Sequence, residues 1–233
     1  MHIGGLQKNS MIDYPGKLAC VLFLSGCNFD CPYCHNPELA TGCAACPNYL
    51  KGEKFFDFLE ERKGFLDGVV ISGGEPTLQD DLLSLCEKIK NMGYPVKLDT
   101  NGSRPKVIKK LIDSGLIDYL AMDIKTDPAD YSPLIKKEIN CTQLLSSIRL
   151  IMESNIPYEF KTTCIRPLIN EEVVERIAHM IQGARLYALQ KFRSSSDVLQ
   201  PDFFSKEQRG FSDDELNGFR FIADKWVGKC ILR

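Results

Sequence analysis

The sequence predicts an α/β protein whose parallel strands curve into an open (β/α)6 barrel. Three observations carry this. Six short β-rich apolar runs are each followed by a segment with helical apolar spacing, and polar or glycine-rich motifs stand at the C-terminal ends of these runs. Strand-then-helix repeats also close by right-handed crossovers into one parallel sheet. A doubly wound open sheet is the alternative arrangement of the same units. At 233 residues the chain can bury one full core, and no linker, repeat or low-complexity tract divides it, so residues 1–233 read as a single domain.

The first strand is Lys17 to Ser25, set up by the Pro15-Gly16 turn, and Glu53 to Lys63 follows with Phe55, Phe56 and Leu59 at helical spacing. Gly68 to Ser72 is a short buried strand running into Gly73-Gly74-Glu75-Pro76. Its helix, Gln79 to Met92, turns Leu82, Leu83, Leu85, Cys86 and Ile89 inward. Val96 to Leu98 stops at Asp99-Thr100-Asn101-Gly102, and the next helix opens at Pro105, a residue suited to a first turn, and runs to Ser114. Asp118 to Ile124 is the fourth strand, with a helix from Asn140 to Ser154. Tyr158 to Cys164 is the fifth, with a helix from Glu171 to Gln182 capped by Asn170. Arg185 to Phe192 is the sixth strand and gives way to a loop at Ser194 to Ser196. The last helix, Ser212 to Val227, carries Ser212 and Glu215 at capping-box spacing.

Composition removes several classes of function. No stretch approaches the roughly 18 apolar residues that span a bilayer, so no membrane partner is expected. A formal charge of -2 and a pI near 6.0 provide no basic field for nucleic acid. Met1 to Lys17 lacks the charged start and long apolar core of an export signal, which points to the cytoplasm. In that reducing compartment ten cysteines are metal ligands or redox thiols before they are bridges. Cys43-Ala44-Ala45-Cys46 is either a redox pair, half of a second metal site or a loop feature. Cys20, Cys86, Cys141, Cys164 and Cys230 form no matching pairs and read as small core residues.

The densest signal is Cys27-Asn28-Phe29-Asp30-Cys31-Pro32-Tyr33-Cys34-His35-Asn36. Asn28, Asp30 and Pro32 are turn formers, so three thiols can gather on one site. Closed zinc sites and ordinary ferredoxin clusters need four protein ligands, whereas three leave one metal corner open to chemistry. Cys31-Pro32-Tyr33-Cys34-His35 also reads as a haem attachment motif. That attachment occurs outside the cytoplasm, so haem is not expected.

The Cys-x3-Cys-x2-Cys pattern, with Tyr33 before the last cysteine, resembles the signature of radical S-adenosylmethionine (SAM) enzymes. The resemblance implies that Cys27, Cys31 and Cys34 hold a 4Fe-4S cluster whose fourth iron binds SAM, in a partial TIM barrel of the radical SAM type. Gly73-Gly74-Glu75 matches a second landmark: its glycines imply backbone approach to the methionine part of SAM, and its carboxylate a partner for the SAM ammonium group. Asp99-Thr100 and Asp123-Ile124-Lys125 resemble motifs of glycyl-radical-enzyme activases. There Lys125 implies a contact to the SAM carboxylate, and Asp99, Thr100 and Asp123 imply a monovalent cation beside it. Asn36 matches a polar position near the cofactor. Lys161, Thr163 and Gln190 should point into the barrel mouth by strand alternation.

The upstream Ser10-Met11-Ile12-Asp13-Tyr14-Pro15-Gly16 extends the resemblance, which is strongest to activating proteins of anaerobic ribonucleoside-triphosphate reductases. It implies a large glycyl-radical enzyme as protein substrate and an electron donor such as flavodoxin or ferredoxin. Many relatives insert an eight-cysteine module after the first loop, and this chain has only Cys43 and Cys46 there. Three rivals remain at this stage: an activase of another glycyl-radical enzyme, a small-molecule enzyme similar to 7-carboxy-7-deazaguanine synthase, and a non-catalytic iron-sulfur carrier. The carrier gives no reason for Gly73-Gly74-Glu75 or Asp123-Ile124-Lys125.

Overall fold

The computed structural model of the protein describes residues 2–42, 52–131, 134, 141–192, 198–200, 202 and 209–233. Eight strands form one sheet in sequential order: β1 (Ile3–Ser10), β2 (Ala19–Leu24), β3 (Gly68–Gly73), β4 (Val96–Thr100), β5 (Tyr119–Asp123), β6 (Tyr158–Cys164), β7 (Tyr187–Lys191) and β8 (Cys230–Leu232). β1 is antiparallel to β2, every later neighbour pair is parallel, and β1 and β8 remain as edges. The helices are α1 (Pro37–Thr41), α2 (Gly52–Glu61), α3 (Leu82–Asn91), α4 (Pro105–Asp113), α5 (Cys141–Glu153), α6 (Glu171–Met180) and α7 (Asp213–Ala223).

All six expected strands and their helices are present, and among the described residues the additional elements are β1, β8, α1 and two short 3-10 turns, Pro76–Leu78 and Pro128–Asp130. β1 contains two glycines and a polar half, so it shows no alternation, and it forms by pairing with β2. β8 has three residues, too few for a pattern. α1 occupies a single turn and a half after Asn36, with Pro37 in its first turn. The final helix ends at Ala223, earlier than Val227, because the chain then turns so that Gly228 N–H donates to Ala184 O at 2.8 Å ahead of β8.

Local signals explain the helix starts. Asn170 accepts the Val173 N–H at 2.9 Å, and Ser212 and Glu215 complete both halves of a capping box. Amphipathic faces explain the packing: Phe55 and Leu59 of α2, and Leu82, Cys86 and Ile89 of α3, are fully buried against the sheet. Each large apolar side chain so covered contributes about 1.5–3 kcal/mol.

Strand alternation divides the sheet into two faces. Leu98, Leu120, Met122, Tyr158 and Phe160 join the main core beneath the helices. On the opposite, concave face Tyr14, Ala19, Val21 and Val70 form a small apolar cluster with Phe23 and Tyr119 against it. Lys97, Asp99, Asp123, Glu159 and Lys161 share that concave face by alternation along β4, β5 and β6. A charged strip inside a barrel is costly unless each group is paired, and this pairing shapes the site.

Candidate active site

The loop after β2 is fixed from several directions. Gly26 and Cys27 N–H groups donate to Leu39 O and Ala40 O at 2.7 and 3.1 Å, and Asp30 N–H donates to Leu134 O at 2.7 Å. Leu199 and Gln200 N–H groups donate to Cys34 O and Pro32 O at 3.2 and 3.0 Å. Phe29 packs edge-on against Tyr131 at 5.8 Å, and its N–H donates to Cys27 Sγ at 3.4 Å. Cys27, Cys31 and Cys34 consequently border one cavity of about 500 Å³ at the C-terminal ends of the strands. That volume lies within the range of small-molecule sites, roughly 300–1,000 Å³.

Burial pushes the Cys27 thiol up to about 11 and the Cys31 thiol up to about 12, so at neutral pH a metal cation is needed to hold them as thiolates. Among the described residues no three His, Cys, Asp or Glu side chains close around a single ion. Three thiols on one cavity of this size suit a polynuclear group with an open corner better than a zinc ion, which takes four protein ligands in a closed site. Tyr33 lines the same cavity, and its buried hydroxyl has no hydrogen-bond partner among the described residues. An orphaned buried hydroxyl costs about 1–3 kcal/mol. A bound ligand with a polar edge would relieve it. The donor set therefore fits a three-thiolate iron-sulfur cluster with an organic ligand beside it.

Gly73 and Gly74 line the cavity, but their lack of side chains answers a need within the chain itself. Gly73 has φ +123°, and a Cβ there would lie 2.2 Å from Leu24 O. A Cβ on Gly74 would lie 2.1 Å from Gly26 O. Without side chains, the Gly74 N–H reaches Leu24 O and the Glu75 N–H reaches Gly26 O, both at 2.8 Å, joining the end of β3 to the start of the cysteine loop.

Glu75 departs from the expectation that it faces a ligand ammonium. It is fully buried and does not line the cavity. Its Oε1 accepts the Thr77 N–H at 3.0 Å, the Thr77 hydroxyl and the Thr100 hydroxyl at 2.8 Å, while Oε2 accepts the Asn101 N–H at 2.7 Å. The Asn101 amide donates to Asn28 Oδ1, and the Asn28 amide donates to Ser103 Oγ, both at 3.0 Å. One carboxylate thus knots the loop after β3 to the loop after β4, and Asn101 carries the tie on to the cysteine loop.

Asp99, Thr100, Asp123, Lys125 and Asn36 line the cavity, as do Lys161, Thr163 and Gln190. His35 is also at its edge and stacks on Phe192 with ring centroids 5.2 Å apart. Lys125 Nζ lies 2.9 Å from Asp123 Oδ2, and its backbone N–H donates to the Tyr131 hydroxyl at 2.6 Å. Lys161 Nζ lies 3.4 Å from Asp99 Oδ1 and 3.5 Å from Asp123 Oδ1. Lys97 Nζ lies 2.5 Å from Asp99 Oδ1 and 4.0 Å from Glu159, which Arg233 meets at 2.6 Å from below. The pair of Asp123 with Lys125 is one rung of a longer ladder of alternating charge. Lys97, Glu159 and Arg233 belong to no motif: strand alternation alone turns Lys97 and Glu159 inward, and Arg233 directly follows β8. Cys43 and Cys46 lie outside the described residues, as does the loop at Ser194 to Ser196.

Burial opposes ionisation of Asp123, yet the Lys125 and Lys161 ammoniums hold its carboxyl down at about 2. Asp99 is also held below the usual carboxylate range, against burial, by Lys161 and Lys97. A folded-state value below the unfolded one gives stability that is complete above the unfolded pKa and lost as pH falls through the folded one. For Asp123 that contribution is about 2 kcal/mol, lost between about pH 4 and pH 2. Urea unfolding across this window should show a shallower pH dependence in Asp123→Asn than in the parent chain. Equal slopes would contradict the pairing.

Comparison with known proteins agrees with this geometry. The sequence matches the Radical SAM superfamily over residues 21–182. It is 37% identical to a protein of Methanocaldococcus jannaschii provisionally named a glycyl-radical enzyme activating enzyme, over 99% of this chain and 95% of that one. It is 30% identical to the 7-carboxy-7-deazaguanine synthase of Haemophilus influenzae, over 56% of this chain and 53% of that one. The fold matches the crystal structure of a radical SAM methyltransferase from Sphaerobacter thermophilus with a TM-score of 0.70 at 17% identity, covering 94% of this chain and 67% of the other. A near full-length relative and a superfamily match spanning most of the sheet thus meet at a cavity bordered by three thiols: the chain belongs to the radical SAM superfamily, whose cofactors are a 4Fe-4S cluster and SAM, and within it to the glycyl-radical enzyme activating group.

Proposed function

We propose that this protein activates an anaerobic ribonucleoside-triphosphate reductase by abstracting a hydrogen atom from a backbone glycine of that enzyme. The observation that carries the reading is the similarity to an activating enzyme along 99% of the chain, joined to the upstream segment Ser10 to Gly16. When bound and reduced, the cluster supplies the electron that cleaves SAM to a 5'-deoxyadenosyl radical. That electron comes from a small carrier such as flavodoxin or ferredoxin.

The chain's own residues bind and orient. Cys27, Cys31 and Cys34 would hold the cluster, and the backbone edge at Gly73-Gly74 would offer its polar groups to the methionine part of SAM. Lys125 would present an ammonium to the SAM carboxylate from the end of β5, where Asp123 fixes its position. Asp99 and Thr100 form the wall behind it, and Asn36 contributes a polar group at the rim. Glu75 holds the loops in register without touching the ligand.

The test is anaerobic incubation of the cluster-loaded protein with SAM, reductant and the purified reductase. A glycyl-radical signal in electron paramagnetic resonance, formed with stoichiometric 5'-deoxyadenosine and absent without this chain, is the expected result. SAM cleavage with no radical on the reductase would overturn the choice of partner. The 30% identity to a 7-carboxy-7-deazaguanine synthase favours a second reading, conversion of a pterin-derived molecule, but it covers only 56% of the chain. Turnover of that small substrate in place of radical formation would establish it.

A further inference from the structure

The family resemblance implies a monovalent cation held by Asp99 and Asp123, and the residues present do not fit one. Asp99 Oδ1 is approached by two ammoniums, Lys97 at 2.5 Å and Lys161 at 3.4 Å. Asp123 meets Lys161 at 3.5 Å through Oδ1 and Lys125 at 2.9 Å through Oδ2. Two ammoniums thus approach each of these carboxylates, with Lys161 shared between them, and a metal cation placed there would be repelled by its neighbouring ammoniums.

The route Lys161 takes explains how it reaches both acids. Asp123 and Lys161 are register partners on β5 and β6, so the first contact is across one strand gap. Asp99 lies one strand further, where its register partner on β5 is Ala121. Ala121 shares the inward face with Asp123, and its methyl group leaves room for a lysine to pass from β6 to β4. The ammonium is carried almost wholly out of solvent, with the Lys161 side chain 11% exposed. A long cation threaded past an alanine to sit between two acids on alternate strands is a built position.

We propose that Lys161 is the resident cation of this site, its ammonium bridging Asp99 and Asp123 where a monovalent metal ion would otherwise bind, so that the chain requires no such ion. Lys161 is then a positioning residue: it fixes the two acids, and through Asp123 it sets where the Lys125 ammonium stands. The inference rests on the proposed SAM site for its functional meaning, but it can be tested without SAM.

Thermal unfolding of the full-length, cluster-loaded protein would be compared in potassium, sodium and tetramethylammonium chlorides at equal ionic strength. The parent chain should unfold at the same temperature in all three. Lys161→Met should unfold about 10 °C lower in tetramethylammonium, and potassium or sodium should restore a large part of that loss. A variant that can be isolated folded only in potassium or sodium salt supports the proposal equally. Specific stabilisation of the parent by potassium or sodium would overturn it, as would a folded Lys161→Met indifferent to the choice of cation. Absence of SAM cleavage in an activity assay would count against the proposed function and leave this salt pattern untouched.

Discussion

Cys31→Ala is expected to fold, to retain no iron-sulfur cluster and to lose reductive SAM cleavage to the background level. Cys31 is buried in the loop between β2 and α1, and burial raises both its thiol and that of Cys27. With one ligand of three removed, the remaining thiols must give up protons in a low-dielectric wall for a group they can no longer enclose. Loss of the sulfur from the core costs about 1 kcal/mol, too little to unfold the chain. Cys86→Ala is the control, since Cys86 is fully buried on α3 in the main core and does not border the cavity. It should lose similar stability and keep its iron. Iron and sulfide content, visible absorbance and thermal unfolding of the two variants separate ligation from packing. A Cys31→Ala protein with full cluster content would reject the three-thiol assignment.

Glu75→Ala should be the most destabilising substitution near the cavity that removes neither a metal ligand nor a cavity-lining side chain. Four donors aim at the Glu75 carboxylate, and removing it leaves the N–H groups of Thr77 and Asn101 and the hydroxyls of Thr77 and Thr100 without their acceptor. At about 1–3 kcal/mol for each buried unsatisfied group, offset where a hydroxyl turns or water enters, the loss is about 4 kcal/mol. For a chain of this length that lowers Tm by about 10 °C. Glu75→Gln keeps the shape and one acceptor oxygen, and should lose less than half as much. Glu60→Ala, which removes only an exposed contact to Lys63, should change almost nothing. A drop below about 1 kcal/mol for Glu75→Ala would show that the knot does not hold the loops together.

Sequence patterns carried the repeating part of this structure and missed what depends on partners far along the chain. The six internal strands were legible because each is a compact β-rich run ending in a recognisable turn. β1 was not, because Ile3–Ser10 acquires its strand character from pairing with β2. Spacing found the three cysteines, since Cys27, Cys31 and Cys34 lie within one loop. It could not show that Glu75 would turn from the cavity toward Asn101, because both placements put a carboxylate after two glycines. Nor could it show that Lys161 would span Asp99 and Asp123, a relation set by strand register.

The two outermost strands of the sheet, β1 and β8, never join one another. In a ring of strands every neighbour restrains the next, and the aperture is set by the shear of the whole. Here no ladder bond links the two margins, so the curvature is fixed only by the pairings from β1 through β8. The aperture above the thiols is therefore bounded by two separate margins, β1 and β8, with no hydrogen-bonded seam between them.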